Sequence, residues 1–332
     1  MKIAVLGDGG WGTALALTLA RNPHVPRVWG PSADYIDEIR RTRLNRKFLS
    51  GVSLPEKIEW TADPAETLSG AEAVVVVVPS KYMRATLERF SGAYRAAGSP
   101  PVISATKGFD ESTRVRMTQL LTEVWGMAAP AALSGPSIAP ETARGVPTAV
   151  TIACADKALA RHFQEIFAGD TFRAYTSDDV KGVELGGALK NVIALAAGVC
   201  DGLGYGNNAK AALITRGLAE ITRLGVALGA HPQTFYGLSG VGDLMVTCMS
   251  PQSRNRTVGE RLGRGESVDQ ILSGMEQVAE GVCTCNIALA LARQAGVPAP
   301  VIEQVDAIIH HGKKPKDAVL ELMRREARPE RD

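Results

Sequence analysis

The sequence predicts a doubly wound α/β half followed by an all-helical half. Three observations carry this. Short β-branched runs alternate with helical patterns up to about residue 176. Runs such as 74–78, apolar at every position, suit strands covered on both faces of a mostly parallel sheet. After Tyr175 strand candidates almost vanish and the pattern becomes helical. At roughly 150 residues per domain, 332 residues give two domains, 1–176 and 177–332.

Taken in order, the candidate strands are 2–6, 27–29, 58–61, 73–78, 102–105, 131–134, 148–153 and 172–175. Amphipathic stretches such as 12–21 and 113–124 separate them. Thr176, Ser177, Asp178 and Asp179 then offer helix-capping oxygens, and glycine-bearing turns at 229–232 and 263–265 divide the helices that follow. The charged tail 324–332 is expected to fray.

Composition narrows the function classes. Hydrophobic residues at 45% and charged residues at 22% are ordinary for a globular protein with real cores. A net charge of +2 argues against nucleic acid or an anionic membrane as partner, while leaving room for a local basic site. The apolar run after Met1 and Lys2 is too short for a signal peptide, and 71–79 falls short of a membrane span, so the expected compartment is the cytoplasm. The five cysteines are odd in number and lack a framework spacing. Cys283 and Cys285 lack the second ligand pair that a zinc site needs and are read as incidental. His310 and His311 are read as surface residues, and no metal is expected.

The first strand runs into Gly7, Asp8, Gly9, Gly10, Trp11 and Gly12, followed by a helical pattern. This is Gly-x-Gly-x-x-Gly with a strand before and a helix after, the context that makes it a dinucleotide fingerprint. Gly7 permits the tight turn, Gly9 admits the pyrophosphate to the backbone, and Gly12 lets helix and strand pack closely. The helix amino end supplies N–H groups to the phosphates. The first half is therefore expected to be Rossmann-like. The second strand ends at Gly30, Pro31 and Ser32, with no carboxylate until Asp34. A 2′-phosphate would meet little repulsion there and Ser32 could donate to it, so NADP is expected to be preferred over NAD although both are admitted.

Ligands in open α/β sheets sit at the carboxyl ends of strands. Strand 102–105 ends near Lys107 and Gly108, and strand 131–134 ends at Gly135, Pro136 and Ser137. In the helical half, Lys190 and Asn191 interrupt an apolar, small-residue helix just after Gly186 and Gly187. Each mid-helix glycine costs about 1 kcal/mol relative to alanine, which suggests a packing or ligand requirement. A lysine in a partly dry pocket suits proton transfer to a carbonyl oxygen; the alternative is a snorkelling lysine between the domains. Asp243 lies in a glycine-rich turn, and Arg254, between Ser253 and Asn255, is a candidate phosphate clamp.

Together the segments 7–13, 104–108, 134–137, 184–192, 211–217, 240–244, 253–255 and 278–282 resemble bacterial-type NAD(P)-dependent glycerol-3-phosphate dehydrogenases over nearly the whole chain. The resemblance implies reversible reduction of dihydroxyacetone phosphate to sn-glycerol 3-phosphate, supplying glycerophospholipid synthesis, by a cytoplasmic homodimer. It makes Lys190 the general acid/base. It places Lys107, Gly135, Ser137, Asp243, Ser253, Arg254 and Asn255 at the substrate. It places Gly10, Trp11, Phe48, Lys107, Ala139, Arg254, Val278 and Glu280 at the cofactor. Three positions depart from the family pattern, namely Gly10 for serine, Pro31 and Ser32 for a basic residue, and Phe48 for tyrosine. All three concern cofactor contacts.

Overall fold

The computed structural model describes residues 1–275, 279–327 and 329–330. Ten strands come first: β1 (Lys2–Leu6), β2 (Val25–Trp29), β3 (Leu44–Asn45), β4 (Leu49–Ser53), β5 (Glu59–Thr61), β6 (Ala73–Val76), β7 (Val102–Ser104), β8 (Ala131–Ser134), β9 (Thr148–Ala153) and β10 (Phe172–Ser177). Eight form one sheet in the order β10-β9-β8-β7-β6-β1-β2-β5. All pairings in it are parallel except β8 with β9. The order reverses between β6 and β1, so a crevice opens at their carboxyl ends, where dinucleotides bind in this architecture.

The apolar strands are explained by helices on both faces. Ile3, Val5, Val75 and Ile103 join one core. Their neighbours Ala4, Leu6, Val74, Val76 and Val102 join another, with Met83, Leu87 and Phe90 of the helix Ser80–Ala96. Successive side chains of a strand point to opposite faces, so two covered faces leave no polar alternation.

The anticipated strands are all present, with ends shifted by up to two residues. The amphipathic stretch 113–124 is trimmed to the helix Met117–Trp125. The small antiparallel pair β3–β4 was not anticipated. Strands this short show no period, and this pair is held by side chains: Asn45 donates to the Asp8 carbonyl at 2.7 Å and to Thr13 Oγ1 at 2.8 Å, and accepts from Tyr35 Oη at 2.7 Å.

From Val180 onward the described residues contain helices and no strands. The helix Val180–Gly202 is buried along nearly its whole length. Asp179 caps it, accepting from Gly182 N at 2.9 Å, and its other oxygen accepts from His231 N and Thr234 Oγ1. This helix alone among the described residues is long and apolar enough to cross a membrane, yet 89% of its apolar window is buried inside the protein. Helices Asn207–Ala227, Asp243–Met249, Arg254–Gly263, Glu280–Gln294 and Pro300–His311 pack around it.

Candidate active site

The fingerprint glycines occupy the turn after β1. Gly7 has φ +131°, which favours glycine, and a Cβ there would lie 3.0 Å from the Val77 backbone. The Gly7 N–H donates to Trp29 O at 3.0 Å, fixing the turn against the end of β2. The helix Gly10–Arg21 starts without a side-chain cap, and nothing lies within 4 Å of a Cβ built on Gly9. Trp11 Nε1 is buried without a hydrogen-bond partner. An uncapped helix end, open space beside it and an orphaned donor fit a pyrophosphate. Gly12 packs directly on the Gly7 carbonyl, where no side chain fits.

The three departures from the family pattern sit around this turn. A Cβ on Gly10 would meet the Phe48 carbonyl oxygen at 2.6 Å and Ala139 Cβ at 3.7 Å, so Gly10, Phe48 and Ala139 converge and serine at position 10 would not fit. Ser32 is exposed and caps the helix Ala33–Thr42, its hydroxyl accepting from Tyr35 N. The end of β2 does hold a carboxylate, contrary to the linear reading. Asp8, buried, reaches across from the first turn, and its Oδ2 would lie 2.5 Å from a Cβ on Gly30.

The second cluster joins the two halves. Lys190 lies on the buried face-to-face side of Val180–Gly202 and is 6% exposed. Its ammonium donates to Asp243 Oδ1 and, at 2.6 Å, to Thr247 Oγ1. Lys107, just beyond β7, donates to Asp243 Oδ2 at 2.6 Å, to the Gly135 carbonyl at 3.0 Å and to Ser137 Oγ at 3.2 Å. One buried carboxylate therefore bridges a lysine of each half. Burial lowers the Lys190 pKa to about 8; Asp243 opposes that effect and Lys107 reinforces it.

Glycines allow the closeness. A Cβ on Gly186 would meet the Ser239 carbonyl at 2.5 Å, and one on Gly187 would meet Ser134 Oγ at 2.5 Å and Lys107 Cγ at 3.5 Å. These two residues let the helix lie against the strand end and against Leu238–Gly242, a π-helical turn that delivers Asp243. Opposite, Glu184 anchors the helix to the sheet half, accepting from Arg116, from Thr118 N at 2.8 Å and from Thr118 Oγ1 at 2.6 Å.

Ser253, Arg254 and Asn255 form a helix start rather than a loop. Ser253 caps Arg254–Gly263, Arg254 is exposed in the first turn, and Asn255 is buried. Asn255 donates to Asn191 Oδ1 at 3.0 Å and accepts from Gly281 N at 2.9 Å. Glu280 begins the helix Glu280–Gln294; burial raises its pKa, and the charges of Arg254, Lys107 and Lys190 pull the other way. Lys107, Lys190, Arg254 and Glu280 thus share one electrostatic environment. Val278 lies outside the described residues.

Thr247 and Asn45 were missed from the sequence. Thr247 had a signal, since it stands four residues after Asp243 and so on the same helix face; Asn45 had none. His310 and His311 are exposed, but His310 Nε2 lies 3.3 Å from Cys285 Sγ and beside buried Asp306. Cys283 and Cys285 are free thiols.

Known proteins resemble this chain over its whole length. The model for the N-terminus of NAD-dependent glycerol-3-phosphate dehydrogenase matches residues 2–160, and that for its C-terminus matches residues 179–320. A Syntrophotalea carbinolica protein named glycerol-3-phosphate dehydrogenase (NAD(P)+) is 47% identical over 335 residues, covering 100% of both chains. A Geobacillus kaustophilus protein of the same name is 48% identical, covering 100% of this chain and 96% of its own. The crystal structure of glycerol-3-phosphate dehydrogenase from Coxiella burnetii superposes with a TM-score of 0.93 at 37% identity, covering 98% of this chain and 99% of its own. The chain belongs to the NAD-dependent glycerol-3-phosphate dehydrogenase family.

Proposed function

We propose that the protein reduces dihydroxyacetone phosphate to sn-glycerol 3-phosphate, reversibly, with NAD(P)H. The observation that carries this is Lys190, buried beside Asp243 and Thr247 with its pKa brought to about 8 and sharing Asp243 with Lys107, while the exposed Arg254 acts with both lysines on Glu280. The reduced nicotinamide, when bound, supplies the hydride to the ketone carbon. Lys190 gives its proton to the ketone oxygen as negative charge develops there, and a pKa near the working pH lets it serve in both directions. Asp243 holds the ammonium in place and is shared with Lys107, which leaves the pocket with excess positive charge for an anionic substrate. Arg254 makes no hydrogen bond among the described residues and is available to a phosphate dianion, which a guanidinium binds bidentately. The Asn255–Asn191 hydrogen bond links that helix start to the residue after Lys190, so phosphate and proton donor are set relative to one another.

The family names of the relatives support this substrate pair. The same resemblance supports a cytoplasmic homodimer whose product supplies glycerophospholipid synthesis, with domains 1–176 and 177–332; sedimentation of the purified chain tests the dimer. The activity is tested by following NADH and NADPH oxidation with dihydroxyacetone phosphate, unphosphorylated dihydroxyacetone and 2- and 3-oxoacids. Turnover of the phosphorylated ketone alone is expected. Preferential turnover of an oxoacid overturns the proposal.

A further inference from the structure

We propose that Asp8 reads the adenosine ribose of the cofactor, accepting a hydrogen bond from its 2′-hydroxyl and repelling a 2′-phosphate, so that NAD(H) is favoured over NADP(H). This rests on the reading of the site as that of a nicotinamide-dependent dehydrogenase, and it reverses the preference expected from the end of the second strand alone.

In dinucleotide-binding sheets the ribose hydroxyls meet an acidic residue at the end of the second strand. Here that position is Gly30, which has no side chain, and the carboxylate comes from the turn after β1. A Cβ on Gly30 would lie 2.5 Å from Asp8 Oδ2 and 2.7 Å from Asp8 Cγ, so the Asp8 carboxylate occupies the space a strand-end side chain would fill. Gly30 and Asp8 are thus complementary: any larger residue at 30 would displace the carboxylate.

The backbone that carries the carboxylate is held in place. The Gly7 N–H bonds the Trp29 carbonyl, and the Asp8 carbonyl accepts from Asn45 Nδ2 at 2.7 Å and from Thr13 Oγ1 at 3.3 Å. Asn45 is itself fixed by Tyr35 Oη. Beyond a hydrogen bond from its own backbone N–H, the Asp8 carboxylate accepts none from another described residue, so the rest of its acceptor capacity is left for a ligand. Burial raises its pKa to about 6, with Lys47 opposing, so it is charged at neutral pH. Ser32, expected to meet a 2′-phosphate, accepts from Tyr35 N as a helix cap and keeps its O–H free to donate, so the preference is set by the Asp8 charge. A carboxylate at this place both accepts from a hydroxyl and disfavours a phosphate, the two components of a specificity device.

The test is calorimetric titration of NAD+, NADP+, 5′-AMP and adenosine 2′,5′-bisphosphate into the full-length wild type, Asp8→Asn and Asp8→Ala. The wild type is expected to bind NAD+ and 5′-AMP more tightly than their 2′-phosphorylated counterparts by roughly tenfold or more. Asp8→Asn, which keeps the size and removes the charge, is expected to narrow or invert that ratio by roughly tenfold, and Asp8→Ala to do the same with weaker NAD+ binding. A wild type that favours NADP+ overturns the proposal without any variant. So does an unchanged ratio in whichever variant folds. A wild type that binds neither dinucleotide fails the dehydrogenase reading itself, and this proposal with it.

Discussion

Asp243 faces Lys190 with one carboxylate oxygen and turns the other to Lys107, so a buried lysine of the helical half and a strand-end lysine of the sheet half share one anion. The anion holds the Lys190 pKa up against burial. Asp243→Asn removes that support, and the Lys190 pKa is expected to fall further below 8. The high-pH decline of the ketone-reduction rate then moves to lower pH than in the wild type. An unmoved limb in a folded variant shows that Asp243 does not act on the ionisation of Lys190.

For Lys190 itself the direction of reaction sets the sign. Reduction requires the protonated amine, so its rate is expected to fall as pH rises through about 8. Oxidation requires the neutral amine and is expected to rise over the same range. Lys190→Ala lowers kcat by roughly 10²–10⁴-fold while dinucleotide affinity survives, the loss typical of a positioned proton donor. Near-normal turnover in a folded Lys190→Ala protein rules out the general-acid role.

Arg254→Ala replaces a charged fork with a methyl group at an exposed helix start. KM for dihydroxyacetone phosphate is expected to rise by an order of magnitude or more, against little change for unphosphorylated dihydroxyacetone, because charge-assisted bidentate pairs are among the strong hydrogen bonds. Parallel kinetics with the two ketones decide this. If both respond equally, the phosphate lies elsewhere, with Lys107 the next place to look.

Asp110 orders the loop that follows Lys107. Burial pushes its pKa up, but hydrogen bonds from Arg84, Ser112 and Thr113 outweigh this and hold it well below the usual carboxylate range. A folded-state pKa below the unfolded one contributes stability that is fully present above the unfolded value and is lost progressively as pH falls from there through the folded value. Asp110→Ala is therefore expected to cost about 1–3 kcal/mol at pH 7, as for leaving such donors unpaired, with the difference shrinking toward pH 3. Urea unfolding at both pH values provides the check; a pH-independent difference removes the ionic explanation.

The alternation of strands and helices, the fingerprint turn and Lys190 were all legible because each leaves a local pattern. Val74 and Val76 are apolar for one face of the sheet, Val75 for the other, and the run reads as doubly covered. Lys190 is conspicuous because a charge interrupts a small-residue helix. What was not legible depends on where distant segments meet. Asp8 stands in the sequence as the variable residue of a glycine motif, and only the crossing of the first turn over the end of β2 puts it beside Gly30. The role of Asn45 arises because its amide reaches the Asp8 carbonyl 37 positions away. The polar stretch around Arg254 read as a loop because Ser253 and Asn255 favour turns. It is a helix start, where the same residues serve as a cap and as a buried link to Asn191.

The helix that carries Lys190 also poses a problem of timing. Its apolar surface is covered largely by segments synthesised later, including Arg254–Gly263, Glu280–Gln294 and Pro300–His311. At about 5–20 residues per second, several seconds of translation separate Gly202 from the end of the first of these. Throughout that interval a helix with the length and hydropathy of a membrane span lacks the cover that these three later helices give it. Lys190 therefore gains its partner Asp243 and its burial only once chain made well after it has folded back onto the helix.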